Sequence, residues 1–356
     1  MARSAHSLFR PFTLHGVELP NRIAMAPMTR SFSPNGVPGE NVAAYYRRRA
    51  AGGVGLIITE GVYIPHDASG FDPKVPHLYG EDALAGWKNV VSEVHATQGR
   101  IFAQLWHVGQ QITGGPQPQP GQAPVGPSMP LSEIEAIITA FGQAAANAQS
   151  VGFDGVEIHG AHGYLIDQFL WERTNHRTDH YGGSLIARTR FAADVIAEIR
   201  RRVGPNFPVM LRFSQFKVAD YDAHLAKTPA ELDRILAPLV AAGLNALHAS
   251  TRRFWEPAFP GSELTLAGWT KKLTGLPTMA VGSVTLGTDM ATSFRTNGSS
   301  GTEGIDKLLD CMDRDEFDLI AVGRSLIVNP LWSKIVEAGD VDQLKPFDRN
   351  VLATLE

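Results

Sequence analysis

A single cysteine, Cys311, stands among 356 residues, which excludes any intramolecular disulfide and any all-cysteine zinc or iron–sulfur site built from this chain alone. A large charge of one sign is also missing: 32 Lys plus Arg face 36 Asp plus Glu, for a formal net charge of -4. No general attraction draws such a surface to nucleic acid or an anionic membrane, so any phosphate site has to be local. No apolar run approaches the roughly 20 residues of a membrane span. Arg3, His6 and Arg10 interrupt the N-terminal stretch where a signal peptide would carry its apolar core. A cytoplasmic protein with no membrane or nucleic-acid partner is the expectation. No Gly-x-Gly-x-x-Gly fingerprint follows a first strand, so no dinucleotide-binding fold is expected either.

What is present suits a large core: 44% of residues are hydrophobic and 19% charged. Short apolar runs at about 23–28, 54–59, 101–106, 155–159, 208–213, 246–250, 277–281 and 318–322 alternate with segments of helical period. The helices expected between them include 82–97, 132–150, 185–203 and 229–242, with Gly99, Gly152, Gly204 and Gly243 as stops. Ser132 with Glu135 reads as a capping box, and Thr228 before Pro229 as an N-cap followed by an N1 proline. Eight strand–helix units without a long linker favour one closed (β/α)8 barrel, a TIM barrel spanning residues 1–356 as a single domain. Residues 12–20 read as a hairpin turning at His15-Gly16 and suited to the barrel bottom. The proline-rich stretch 116–130 is expected as an insertion over the top face, and the polar run 292–302 as a surface insertion.

All strand C-termini of such a barrel converge on one mouth. Those ends carry Thr29, Gly61, Gln104 with Trp106, His159, Arg212, Gly282 and Gly323-Arg324. Two histidines at a mouth, His159 and His162, can donate to one oxygen and stabilise negative charge that builds there. Tyr164 can lean the same way if its loop is extended, and its phenol can give a proton. A histidine pair of this kind also suits a divalent metal, and a metal-dependent hydrolase or lyase using His107, His159 and His162 is the rival reading; no hydrolase motif surrounds them, so no metal is expected. The glycine-rich ends Gly282-Ser283 and Gly323-Arg324 follow strands seven and eight, where barrels hold phosphate. Cys311 reads as a buried filler.

The run His159-Gly160-Ala161-His162-Gly163-Tyr164-Leu165, then Asp167-Gln168-Phe169, and later Arg177-Thr178-Asp179 with Tyr181-Gly182-Gly183-Ser184, resembles the signature of the old yellow enzyme family. Further blocks are similar in the same order: residues 21–30, Thr59-Glu60-Gly61, residues 104–107, Leu211-Arg212-Phe213-Ser214, and Gly323-Arg324 followed by Asn329-Pro330. The likeness runs over roughly 8–345. It implies non-covalent FMN, NADPH or NADH as co-substrate, and hydride transfer through flavin N5 to the β-carbon of an activated alkene such as an enone or nitroalkene. His159 and His162 match the pair that binds the substrate oxygen, with histidine where many members have asparagine, and Tyr164 matches the proton donor. Gly282, Ser283, Gly323 and Arg324 match the phosphate cradle, Arg212 the cation beside flavin N1 and O2, Gln104 the pyrimidine contact, and Thr29 a donor to O4. Pro27, Met28 and Gly61 match backbone contacts.

Phe71 and Trp106, with Tyr63 or Trp255, are expected to wall the substrate cavity. The related flavin barrels of trimethylamine dehydrogenase and dienoyl-CoA reductase carry a cysteine cluster and further domains, so one cysteine sets the expectation against them. Substrate, coenzyme preference, stereochemistry and the choice between monomer and homodimer have no signal in the residues.

Overall fold

The eight apolar runs are strands because each is buried on both faces, as parallel strands under a layer of helices must be. The computed structural model describes residues 5–110, 125–295 and 300–356. A hairpin of β1 (Phe12–Leu14) and β2 (Val17–Leu19) comes first. It is followed by β3 (Ile23–Met25), β4 (Leu56–Tyr63), β5 (Arg100–Trp106), β6 (Gly155–His162), β7 (Val209–Lys217), β8 (Ala246–Ser250), β9 (Thr278–Val281) and β10 (Leu319–Val322). Among the described residues these eight close into one parallel barrel in the order β10-β3-β4-β5-β6-β7-β8-β9. The outer helices are α1 (Glu40–Ala51), α2 (Glu81–His95), α3 (Leu131–Val151), α4 (Leu165–Leu170), α5 (Leu185–Val203), α6 (Pro229–Ala241), α7 (Leu266–Thr274), α8 (Met290–Arg295), α9 (Asp306–Asp313), α10 (Arg324–Val328) and α11 (Trp332–Glu337). No helix among the described residues is long and apolar enough to cross a membrane.

The hairpin turns through His15 (φ 45°) and Gly16 (φ 86°), the paired positive dihedrals of a tight two-residue turn. Its Leu14 and Leu19 are buried in one cluster with Leu56, Ile58, Phe102, Met210 and Met279 from the barrel strands. Burial of each such leucine stabilises the closure by about 1.5–3 kcal/mol. The floor of the barrel is therefore plugged by side chains.

Helix starts follow local chemistry, with one correction. Thr228 accepts from the Glu231 amide and Ser184 from the Ala187 amide. The Ser132 capping box does not form: α3 begins at Leu131, with Pro130 in the cap position and no side-chain cap. A proline without an N–H loses nothing where helix amides are unpaired anyway, so the helix starts one step earlier. Gly152 ends α3 at φ 98°, as expected. Gly99 is not a stop; the positive φ falls on Gln98 (66°), and a Cβ at Gly99 would lie 2.9 Å from that of Ala50. Of the proline-rich stretch, residues 111–124 lie outside the described residues. The run 292–302 is more than a surface insertion, since Ser300 is buried and exchanges backbone hydrogen bonds with Phe347. Cys311 is buried on α9, and burial pushes its thiol up to about 11.

Candidate active site

At the end of β6 the register with β7 shifts between Gly160 and His162, pairing His159 with Arg212 and His162 with Lys217. His162 (φ 66°) and Gly163 (φ 86°) are both left-handed, so the chain reverses sharply after the strand. Tyr164 then adopts extended angles (φ -79°, ψ 176°) ahead of α4. The turn brings three expected residues together. The Tyr164 ring meets His159 edge-on at 4.8 Å, and His159 meets His162 edge-on at 5.4 Å.

Both imidazoles are held neutral. Burial, then the nearby Arg212 cation, keeps each well below the ordinary histidine value. The Ala161 amide donates to His159 Nδ1 at 3.4 Å, which leaves Nε2 as the nitrogen that carries hydrogen. His162 Nε2 lies 2.9 Å from Ser250 Oγ, a hydroxyl that also accepts from Arg212 Nη2 at 3.0 Å. The His162 ring stacks on Phe216 at 5.0 Å. Burial raises the Tyr164 phenol, against the pull of Arg212, so it keeps its proton through the neutral range.

Beside this group opens a cavity of about 700 Å³, lined by Pro27, Met28, His162, Arg212, Gly282, Ser283, Gly323 and Arg324 among others. Arg212 Nε and Arg252 Nε, both on lining residues, are buried and have no hydrogen-bond partner among the described residues. Unpaired buried donors of this kind are costly unless a bound group meets them. The loop after β9 bends through Gly282 (φ 152°), Ser283 (φ 51°) and Thr285 (φ 54°). A Cβ on Gly282 would fall 2.6 Å from the Thr251 carbonyl oxygen, so only glycine fits there. Arg324 is tied to the same loop through the Thr288 carbonyl at 2.6 Å. Apolar walls, two unsatisfied guanidinium donors and a glycine-dependent loop fit a flat ring system that carries a phosphate, as FMN does.

Some expected residues sit apart from this cavity. Thr29 is exposed beyond the end of β3. Gly61 does not line the cavity; it admits the Trp106 ring, whose Cε3 lies 2.6 Å from where a Cβ would be. Gln104 is buried and gives its amide to Glu157 Oε1 at 2.7 Å, while Glu157 Oε2 meets His248 Nδ1 at 2.6 Å. Trp106, Tyr63, Phe71 and Tyr164 share one aromatic cluster. Trp255 does not join it: its ring faces Lys307 at 4.3 Å and lines a different cavity. His107 is also elsewhere, with Nε2 on His66 Nδ1 at 3.2 Å and Nδ1 accepting from the Gly109 amide, so it shares no ligand set with His159 and His162.

Several site residues are absent from the expected set. Arg252 follows β8, whose C-terminus meets the same mouth as the others, so the strand-end rule alone marks it. Buried Asp289 pairs with Arg252 at 3.1 Å and with Arg253 at 3.2 Å. Glu157 and His248 were visible as lone polar residues in apolar strands. Phe216 lies near the end of β7 and Tyr221 in the loop after it, where no sequence signal stood out.

The chain matches the model of the NADH:flavin oxidoreductase / NADH oxidase family over residues 7–343. It is 33% identical to an NADH oxidase of Thermoanaerobacter brockii across 95% of its own length, and spans about half of that protein (52%). It is 35% identical to 12-oxophytodienoate reductase 7 of Oryza sativa subsp. japonica, covering 91% of this chain and 86% of the relative. A solved structure of morphinone reductase in complex with tetrahydroNAD superposes with a TM-score of 0.80 at 30% identity, covering 97% of this chain and 93% of that one.

Proposed function

Because this chain belongs to the NADH:flavin oxidoreductase / NADH oxidase family, that of the old yellow enzymes, we propose that it is an FMN-dependent ene-reductase that uses NADH or NADPH to reduce small alkenes conjugated to a carbonyl or nitro group. The observation that carries this reading is the neutral His159–His162 pair with Tyr164 beside a cavity lined by Arg212, whose buried Nε has no partner among the described residues. Relatives named for reducing 12-oxophytodienoate and morphinone agree with it.

Bound FMN would supply the two-electron chemistry that links the nicotinamide hydride to the alkene β-carbon. Gly282, Ser283, Gly323 and Arg324 hold its phosphate, with Arg252 as an added cation. Arg212 would face the pyrimidine edge of the flavin, where its fixed positive charge would stabilise the electron-rich reduced ring. Pro27 and Met28 line the same cavity and would meet the ring, whereas Thr29, Gly61 and Gln104, expected as further contacts, lie outside its lining.

His159 presents Nε2–H to the substrate oxygen, and His162 joins by trading its Ser250 partner for the same oxygen. Neutral donors stabilise the developing enolate without titrating near pH 7, an advantage over cationic imidazoles whose charge would vary with pH. Tyr164 gives its proton to the α-carbon. Trp106 and Phe71 pack beside it and keep water from the reacting carbons. The test is anaerobic: purified protein should be yellow, bleach with NADH or NADPH, and regain colour on adding 2-cyclohexenone or a nitroalkene. A colourless protein that binds zinc at the mouth would favour the metal-dependent reading instead.

A further inference from the structure

The His162–Gly163 turn is gripped by a buried ion pair that takes no part in the chemistry above. Asp167, on α4, and Lys217, the last residue of β7, are both fully buried and meet at 2.6 Å. The carboxylate divides its oxygens: Oδ1 accepts from Lys217 Nζ, while Oδ2 accepts from the Gly163 amide at 2.7 Å. Around it every backbone group of the turn has a partner. The His162 amide donates to Ser214 Oγ at 3.0 Å, and the His162 carbonyl accepts from the Val218 amide at 3.1 Å. The Gly163 carbonyl accepts from Gln168 Nε2 at 2.7 Å. Lys217 also approaches the Ser214 carbonyl at 3.4 Å and stands over the Trp171 ring at 5.7 Å.

A buried ion pair is a weak source of stability, because taking two charges out of water offsets most of their attraction. Its effect here is directional. A carboxylate is a stronger acceptor than a neutral amide oxygen, and only with Lys217 beside it is the carboxylate kept charged in a dry site. A left-handed histidine is uncommon and needs its surroundings to hold it. We propose that Asp167 and Lys217 are a positioning pair that locks the His162–Gly163 turn to β7 and so sets where His162 and Tyr164 stand relative to the substrate. The inference rests on the proposed ene-reductase reading for its effect on rate, but not for its effect on the turn.

Two measurements on the FMN-loaded enzyme test it, with Lys217→Met and the charge-free double variant Asp167→Asn/Lys217→Met, which leaves an Asn oxygen for the Gly163 amide and should fold even if the single variant does not. In spectra of protein labelled with 15N in histidine and glycine, Lys217→Met is expected to move the Gly163 amide and His162 ring signals, and the double variant to bring them part of the way back. In single-turnover alkene reduction at saturating substrate, the rate is expected to fall by about tenfold or more in Lys217→Met at full flavin occupancy, since a misplacement near 1 Å is enough for that. If Lys217→Met does not fold, the double variant is compared in parent and His162→Ala backgrounds, where a clearly larger loss in the first than in the second is expected, the remainder acting through Tyr164. Unmoved signals, an unchanged rate, or an equal loss in the His162→Ala background would overturn the proposal. Moved signals in a protein that reduces no alkene would sink the functional reading while leaving the pair's hold on the turn intact.

Discussion

The Tyr164 ring stands edge-on to His159, with centroids 4.8 Å apart and planes at 78°. Phenol and imidazole thus face one small space from adjacent sides, the separation of roles that an oxygen-holding group and a carbon-protonating group require. Removing the phenol hydroxyl should leave the aromatic packing against Trp106 and His159 in place. Tyr164→Phe is therefore expected to slow alkene reduction by about 10²–10⁴-fold, the usual worth of a general acid, with flavin reduction by nicotinamide much less affected. Stopped-flow traces of the two half-reactions measure this, and equal losses in both would remove Tyr164 from the role of acid.

The phosphate cradle gives a sharper contrast. Arg324 is held on the Thr288 carbonyl, and burial brings its guanidinium down to about 10. Its charge-assisted contact with phosphate is worth about 1.5–3 kcal/mol, so Arg324→Ala should weaken FMN binding by roughly 10- to 150-fold. Riboflavin, which lacks the phosphate, should bind the variant and the parent alike. Fluorescence-quenching titrations with both flavins decide it; a parallel loss for riboflavin would place the arginine elsewhere.

Gly282→Ala should also abolish tight flavin binding. At φ 152° the new methyl would meet the Thr251 carbonyl oxygen at 2.6 Å, so the loop has to move. At least a tenfold rise in the FMN dissociation constant is expected, equal to about 1.4 kcal/mol, with the barrel's far-ultraviolet dichroism unchanged. Parent-like affinity would show that the loop does not touch the cofactor.

Acid should destabilise the fold. His107, His159, His162 and His248 are buried and held below the ordinary histidine value, chiefly by burial. On unfolding below pH ~6.5 each gains a proton that the folded state refuses, so stability falls as pH drops through that window. Glu60, pushed up to about 7 by burial, acts in the opposite sense because the folded state keeps its proton above the unfolded value. These histidines, with His77 also lowered by burial, outnumber Glu60 and leave a net loss of at most roughly 1.4 kcal/mol per pH unit for each uncompensated histidine. The urea midpoint should be lower at pH 5.5 than at pH 7.5; an equal or higher midpoint would contradict neutral histidines.

The barrel strands could be read directly because burial on two faces turns each into an unbroken apolar run, and strand-end logic then gathered His159, Arg212, Gly282 and Arg324 at one mouth. Contacts that depend on how two loops meet left no such trace. Asp289 and Arg252 are 37 residues apart, and their pairing follows from the bend at Gly282. Asp167 and Lys217 are separated by 50 residues, and nothing in either segment marks their pairing. Trp255 shows the opposite error: an aromatic residue near the mouth in sequence faces Lys307, because Phe254 is tied by its amide to the Gly282 carbonyl and turns the next side chain away.

With Leu14 and Leu19 corking its base, the barrel is a blind well with one opening. On the proposed reading, reductant and oxidant would queue at the same doorway, each departing before the other arrives. A product slow to leave would then obstruct the incoming coenzyme, and turnover would be governed by traffic through that doorway as much as by the bond-making within.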